Sequence, residues 1–179
     1  QEDLVGVLPI APLSSDAFEV PHELAIDVEG DALFTLSFVF SQEMALSYKN
    51  QTMFSNVLGV DKSFEKVFPK VNTHKLFDSN IISPMVIGSG LLSRIGSEAF
   101  RNPEGLSLLI PRAGAPSALE FPFKRLRGEV VDVFQFGDSA DDNTLLMSLE
   151  DVCSFMGVEK GFSTSVYLKL KSGSSRLLV

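Results

Sequence analysis

Val86-Ile87-Gly88-Ser89-Gly90-Leu91-Leu92-Ser93-Arg94-Ile95-Gly96 is the stretch that decides how this chain is read. A β-branched pair runs into a glycine, and then Leu91, Leu92 and Ile95 recur at helical spacing. That predicts a strand turning sharply into a short helix with an inward apolar stripe. Strands follow at Leu106 to Ile110, Arg125 to Phe136 and Thr144 to Met147, the second of them long and rich in β-branched and aromatic residues. Ser148 opens a helix, with Asp151 three positions on in a capping-box-like arrangement. Val152, Phe155 and Met156 form its stripe and Gly157 ends it. A last alternating strand runs from Ser163 to Lys171, with Val166, Leu168 and Leu170 on one side.

Upstream, Leu4 to Ile10 reads as a short strand and Pro21 to Glu29 as a weak helix stopped by Gly30. From Ala32 to Phe40, the parity of Phe34, Leu36, Phe38 and Phe40 against Thr35 and Ser37 predicts a strand buried on the phenylalanine side. Met44 to Tyr48 and Met53 to Val60 flank the polar Lys49-Asn50-Gln51-Thr52, which reads as a hairpin. Asp61 to Asn80 is polar, with one helical turn at Phe64 to Phe68, and Ile81 to Ile87 is a strand interrupted by Pro84. About eight strands and three or four short helices, not joined in regular alternation, make an α+β protein.

With 179 residues, 45% hydrophobic, the chain is long enough to bury a core. The single Cys153 rules out an internal disulfide. The net charge of −8 argues against a nucleic-acid surface, and Lys124, Arg125 and Arg127 read as a solvated strand face. No apolar run has the ~18 residues of a membrane span. Gln1-Glu2-Asp3 reads as an internal starting point, so a soluble fragment of a larger protein is expected.

The motifs with chemical potential each have a plainer explanation. Gly88-Ser89-Gly90 lies between a strand and a helix, where a phosphate could sit, but Ser93 stands where a dinucleotide fingerprint needs its third glycine. His22 and His74 are far apart in sequence and have no clustered ligands beside them. Asp138, Asp141 and Asp142 do not follow the alternating register of a calcium loop. Cys153 falls on the inward face of its helix, as a small hydrophobe does. Asn50-Gln51-Thr52 is formally a glycosylation sequon that an ordinary hairpin turn explains. No catalytic set, metal site or cofactor is expected.

Pro111 to Lys124 is different. Pro111, Pro116 and Pro122 stiffen a loop between two strands and withhold ladder donors, while Leu119, Phe121 and Phe123 make it apolar, with Arg112 near its start. Loops of this length inside a domain tend to be functional or disordered. Two readings stand open. The aromatics grip a partner at low entropic cost, or they fold back over the domain's own core.

The ordered motifs resemble the extracytoplasmic core domain of MacB-type and Lol-type ABC transporter permeases, including lipoprotein-releasing permeases. Val86, Ile87, Gly88, Leu91, Ile95 and Gly96 match the family's valine-isoleucine-glycine strand and the helix behind it. Val131-Asp132-Val133-Phe134 stands at its valine-glycine-isoleucine-phenylalanine strand, with Asp132 in place of glycine. Leu149, Glu150 and Asp151 match its leucine-glutamate-aspartate helix start. Ala45-Leu46-Ser47-Tyr48 and Leu58-Gly59-Val60-Asp61 resemble its hairpin and strand end. The similarity spans about Ala32 to Leu170.

The resemblance implies a two-lobed molecule. An α/β porter-like lobe (1–50 and 162–179) would carry an inserted, mostly-β sabre-like lobe (51–161). The family continues with a further helix and strand, so the first lobe would be incomplete. It also implies a non-catalytic domain at the periplasmic face of the bacterial inner membrane, anchored by helices outside both ends and paired with a sister permease subunit and a separate cytoplasmic ATPase. In Lol-type members the insert corresponding to Pro111–Phe123 resembles a hook that docks a lipoprotein carrier, although its residues here do not match the familiar hook sequence. The candidate partner-binding residues are Pro111, Arg112, Pro116, Leu119, Phe121, Pro122 and Phe123. A MacB-like exporter of small molecules or peptides, docking a membrane-fusion adaptor, is the second reading. A small soluble hydrolase is the third.

Overall fold

The structure, a computed structural model, describes residues 5–9, 34–100, 102, 104–112, 122–137, 141–160 and 162–170. The strands are β1 (Val5–Pro9), β2 (Phe34–Tyr48), β3 (Gln51–Val60), β4 (Pro84–Gly88), β5 (Leu106–Pro111), β6 (Phe123–Phe134), β7 (Thr144–Ser148) and β8 (Ser165–Leu170). The α-helices are α1 (Phe64–Val67), α2 (Ser89–Ile95) and α3 (Leu149–Met156), with 3-10 turns at His74–Phe77, Ser97–Ala99 and Asp141–Asn143. The predicted helix at Pro21 to Glu29 lies outside the described residues.

All the strands join one mixed, eight-stranded sheet in the order β1-β8-β2-β3-β7-β4-β6-β5. β2 is long enough to take two neighbours along one edge. Its first part, Phe34 to Val39, pairs with β8, and Ala45 to Ser47 pairs with β5. Its other edge pairs with β3 from Val39 to Tyr48, across the two-residue turn Lys49-Asn50. The pairing with β5 closes β2, β3, β7, β4, β6 and β5 into a ring. Inside it lie Met44, Leu46, Val57, Ile87, Leu108, Val130, Leu145 and Met147, with Leu91 and Ile95 of α2 and Val152, Cys153 and Phe155 of α3 packed among them. Burying such side chains stabilises by about 1.5–3 kcal/mol each and is the main force holding the ring closed.

A second layer covers the opposite face of the sheet. Val39, Leu58, Val60, Val86, Val131 and Phe134 pack there against Phe64 of α1, Val71 and Leu76. This layer corrects the reading of the first half of β2. Phe40 is buried as expected, but on the other side Ser37 and Val39 are fully buried, whereas Leu36 and Phe38 are only partly so. The buried serine is tolerated because Asp61 accepts hydrogen bonds from Ser37 Oγ at 2.8 Å and Phe38 N at 3.0 Å. Other boundaries also move; β6, expected at 125–136, runs Phe123–Phe134. β2 runs unbroken through Ser41 to Glu43, and Pro84 begins β4 rather than interrupting it, since a first strand position need not donate.

The α3 termini match the reading from sequence. Ser148 Oγ accepts from Asp151 N at 3.1 Å, and Gly157 sits in the left-handed region at φ 73°.

Candidate functional site

β5 and β6 form an antiparallel hairpin whose register runs from Leu106↔Gly128 to Pro111↔Phe123. Arg112 N donates to Pro122 O at 3.0 Å, which carries the ladder one pair further. Pro122 is compatible with that position because it supplies only its carbonyl. The ends of the intervening loop are thus held side by side. Pro111, Arg112, Pro122 and Phe123 are all exposed, Phe123 at 39%. Pro116, Leu119 and Phe121 lie outside the described residues.

The loop end of this hairpin is fastened to the body, one pair short of Pro111↔Phe123. Lys124 Nζ donates to the Phe155 carbonyl and lies 5.4 Å from the centroid of the Phe155 ring. At the base, Arg127 Nε donates to the Glu104 carbonyl just before β5, which joins the hairpin's own two strands. Of the basic residues Lys124, Arg125 and Arg127, one therefore ties the hairpin to the body and one closes its base. That use is structural, and no periodicity marks it in advance. Leu126 and Gly128 turn inward while Phe123, Arg125 and Arg127 turn out, so the strand keeps its alternation up to the loop.

The other sequence motifs settle into structural roles. A Cβ on Gly88 would stand 2.2 Å from Asp142 O, and one on Gly90 3.0 Å from the same atom. The glycines let the Asp141–Asn143 turn close against the start of α2. Asp142 is buried, and its Oδ1 accepts from Phe136 N at 2.6 Å; Asp138 lies outside the described residues. His74 Nε2 is 3.2 Å from Glu65 Oε1 on the surface, and His22 is outside the described residues. Cys153 is fully buried, and burial pushes its thiol above the ordinary value. Among the described residues no group of three or more His, Cys, Asp or Glu could hold a metal ion.

Two hollows are not evident from the sequence. One, of about 670 Å³, is an open groove with Val60, Leu76, Phe77 and Ile81 along it and Glu150 and Lys160 at its rim. The Lys160 ammonium holds the Glu150 carboxyl below its ordinary range, and Glu150 in turn raises Lys160. Each keeps the other charged, the reverse of what a proton donor needs at neutral pH. The second is an aromatic cavity on the α1 face. Its residues are scattered from position 58 to 167, so only tertiary structure could have brought them together.

No helix among the described residues is long and apolar enough to cross a membrane. No family model matches the sequence, and no curated protein matches it. Solved structures do match the fold. The extracellular domain of the noncanonic ABC-type transporter YknZ from Gram-positive bacteria superposes with TM-score 0.61 at 8% identity, covering 93% of this chain and 83% of that one. The periplasmic region of MacB from Actinobacillus actinomycetemcomitans superposes with TM-score 0.61 at 11% identity, covering 96% of this chain and 76% of that one. The chain shares the fold of these transporter domains.

Proposed function

We propose that this chain is the non-catalytic extracytoplasmic domain of an ABC transporter permease, and that the 111–123 loop docks a soluble partner. The observation that carries the docking role is the hairpin itself. Lys124 fastens its loop end to α3, Arg127 closes its base, and beside Lys124 the end exposes Pro111, Arg112, Pro122 and Phe123. An anchored hairpin end with an exposed aromatic loses little freedom on binding. The likeness in fold to the MacB and YknZ domains supports the transporter context.

In this reading ATP is hydrolysed by a separate cytoplasmic subunit. The domain stands at the periplasmic face of the inner membrane beside a sister permease, and rigid-body motion reaches the partner through the sheet. The partner is a lipoprotein carrier and the cargo a lipoprotein. The proposed lobes are 1–50 with 162–179, and 51–161; β1 and β8 lie outside the strand ring, while β2 belongs to the first lobe and to the ring. The length of the loop favours a carrier over the membrane-fusion adaptor of a MacB-like exporter. The hydrolase reading draws no support from the groove, whose rim pair Glu150 and Lys160 hold each other charged.

Pull-down with a lipoprotein carrier and with a fusion adaptor tests this. The carrier should be retained, and Phe121→Ala with Phe123→Ala should weaken it at unchanged melting temperature. Normal carrier binding by both variants removes the docking role. Retention of the adaptor alone replaces lipoprotein release with export.

A further inference from the structure

The aromatic cavity on the α1 face measures about 240 Å³. Phe64 and Phe134 are buried at its depth, while Phe68, Phe136 and Tyr167 are partly exposed around its mouth. Asp141, exposed, also lines it. The rings touch in a chain. Phe68 lies 4.8 Å from Phe64, 5.4 Å from Tyr167 and 5.6 Å from Phe136, centroid to centroid, and Phe136 lies 5.2 Å from Phe134. Most of these contacts are edge to face.

Size and charge narrow the ligand. Drug-sized sites usually span about 300–1,000 Å³, so this space suits a compact group. Ring faces carry negative potential, and a carboxylate at the mouth adds to it. None of the described lining residues is basic, which disfavours an anion. A primary ammonium would lose strong hydration and leave N–H donors unpaired on entering an apolar site, whereas a fully alkylated one loses less and has no donor to leave unpaired. The chain already uses ring faces for cations, with Lys62 Nζ 5.8 Å from the Phe77 centroid. Burial first, and the Asp141 charge second, push the Tyr167 phenol above its ordinary value, so the carboxylate field reaches across the mouth.

We propose that Phe64, Phe68, Phe134, Phe136, Tyr167 and Asp141 form a binding site for a quaternary ammonium group, carried by a free small cation or by a choline lipid headgroup. The proposal is independent of the docking loop. Titration calorimetry of the chain with choline and with 3,3-dimethylbutan-1-ol, its uncharged isostere, tests it without any variant. Choline should bind, and the alcohol should be weaker by about tenfold. Asp141→Asn should weaken choline by about threefold. Phosphatidylcholine vesicles separate the sources: retention that choline competes away identifies a headgroup site, and choline binding without retention identifies a free cation. Equal affinity for choline and the alcohol, or no choline binding at millimolar concentration, overturns the proposal.

Discussion

Gly88 shows what a motif looks like when packing alone explains it. The Asp142 carbonyl fills the space a side chain would need, at 2.2 Å from an added Cβ. Gly88→Ala is expected to destabilise the fold by about 2 kcal/mol or more, with Gly90→Ala milder because its clearance is 3.0 Å. Urea midpoints at constant m-value measure both. Cys153 is a second residue-scale case. Its full burial and raised thiol predict no reaction with a disulfide reagent at pH 8 in the native state, and full reaction in denaturant. Local chemistry was legible at this scale. Ser148, Asp151 and Gly157 announce both ends of α3, because capping depends on neighbours in sequence.

At the scale of elements, legibility ended where a second layer intervened. The alternation in β2 was real, but both faces are covered, and the Ser37–Asp61 bond makes a polar residue one of the most buried. Alternation finds a strand; it cannot say which face is buried when a helix packs on the other side. Likewise the prolines and aromatics marked the 111–124 loop, but nothing in sequence showed Lys124 bonded to the Phe155 carbonyl. The hairpin carries its own prediction. Arg112 and Pro122 are already bonded, so replacing residues 113–121 with a short Gly-Ser-Gly-Ser linker should leave the fold intact. The melting temperature should move by less than about 4 °C, equivalent to ~1 kcal/mol for a chain of this size, while partner binding is lost.

At the scale of the molecule, the order of strands in the ring was beyond reach of sequence, because it rests on contacts such as Ala45 with Leu109. Surface charge, too, acts here through few fixed pairs. Glu98 is held below its ordinary value of 4.5 first by its own backbone N–H and then by Lys49, and Glu150 first by Lys160. Since the folded values are depressed, these groups favour the native state above the unfolded value, and that contribution is lost as pH falls through the folded one. Carboxyl NMR titration should give both midpoints below 4.5, with high salt raising Glu150 more than Glu98 because only backbone bonding escapes screening. The proposed docking role is best tested in living cells that make the protein. A photo-crosslinker at Phe123, with one at the 68%-exposed Phe54 as control, reports what the hairpin touches. An adduct between position 123 and a soluble extracytoplasmic protein is expected, and none from position 54. Crosslinks from 123 that stay within the chain, or equal adducts from both positions, would remove the docking role.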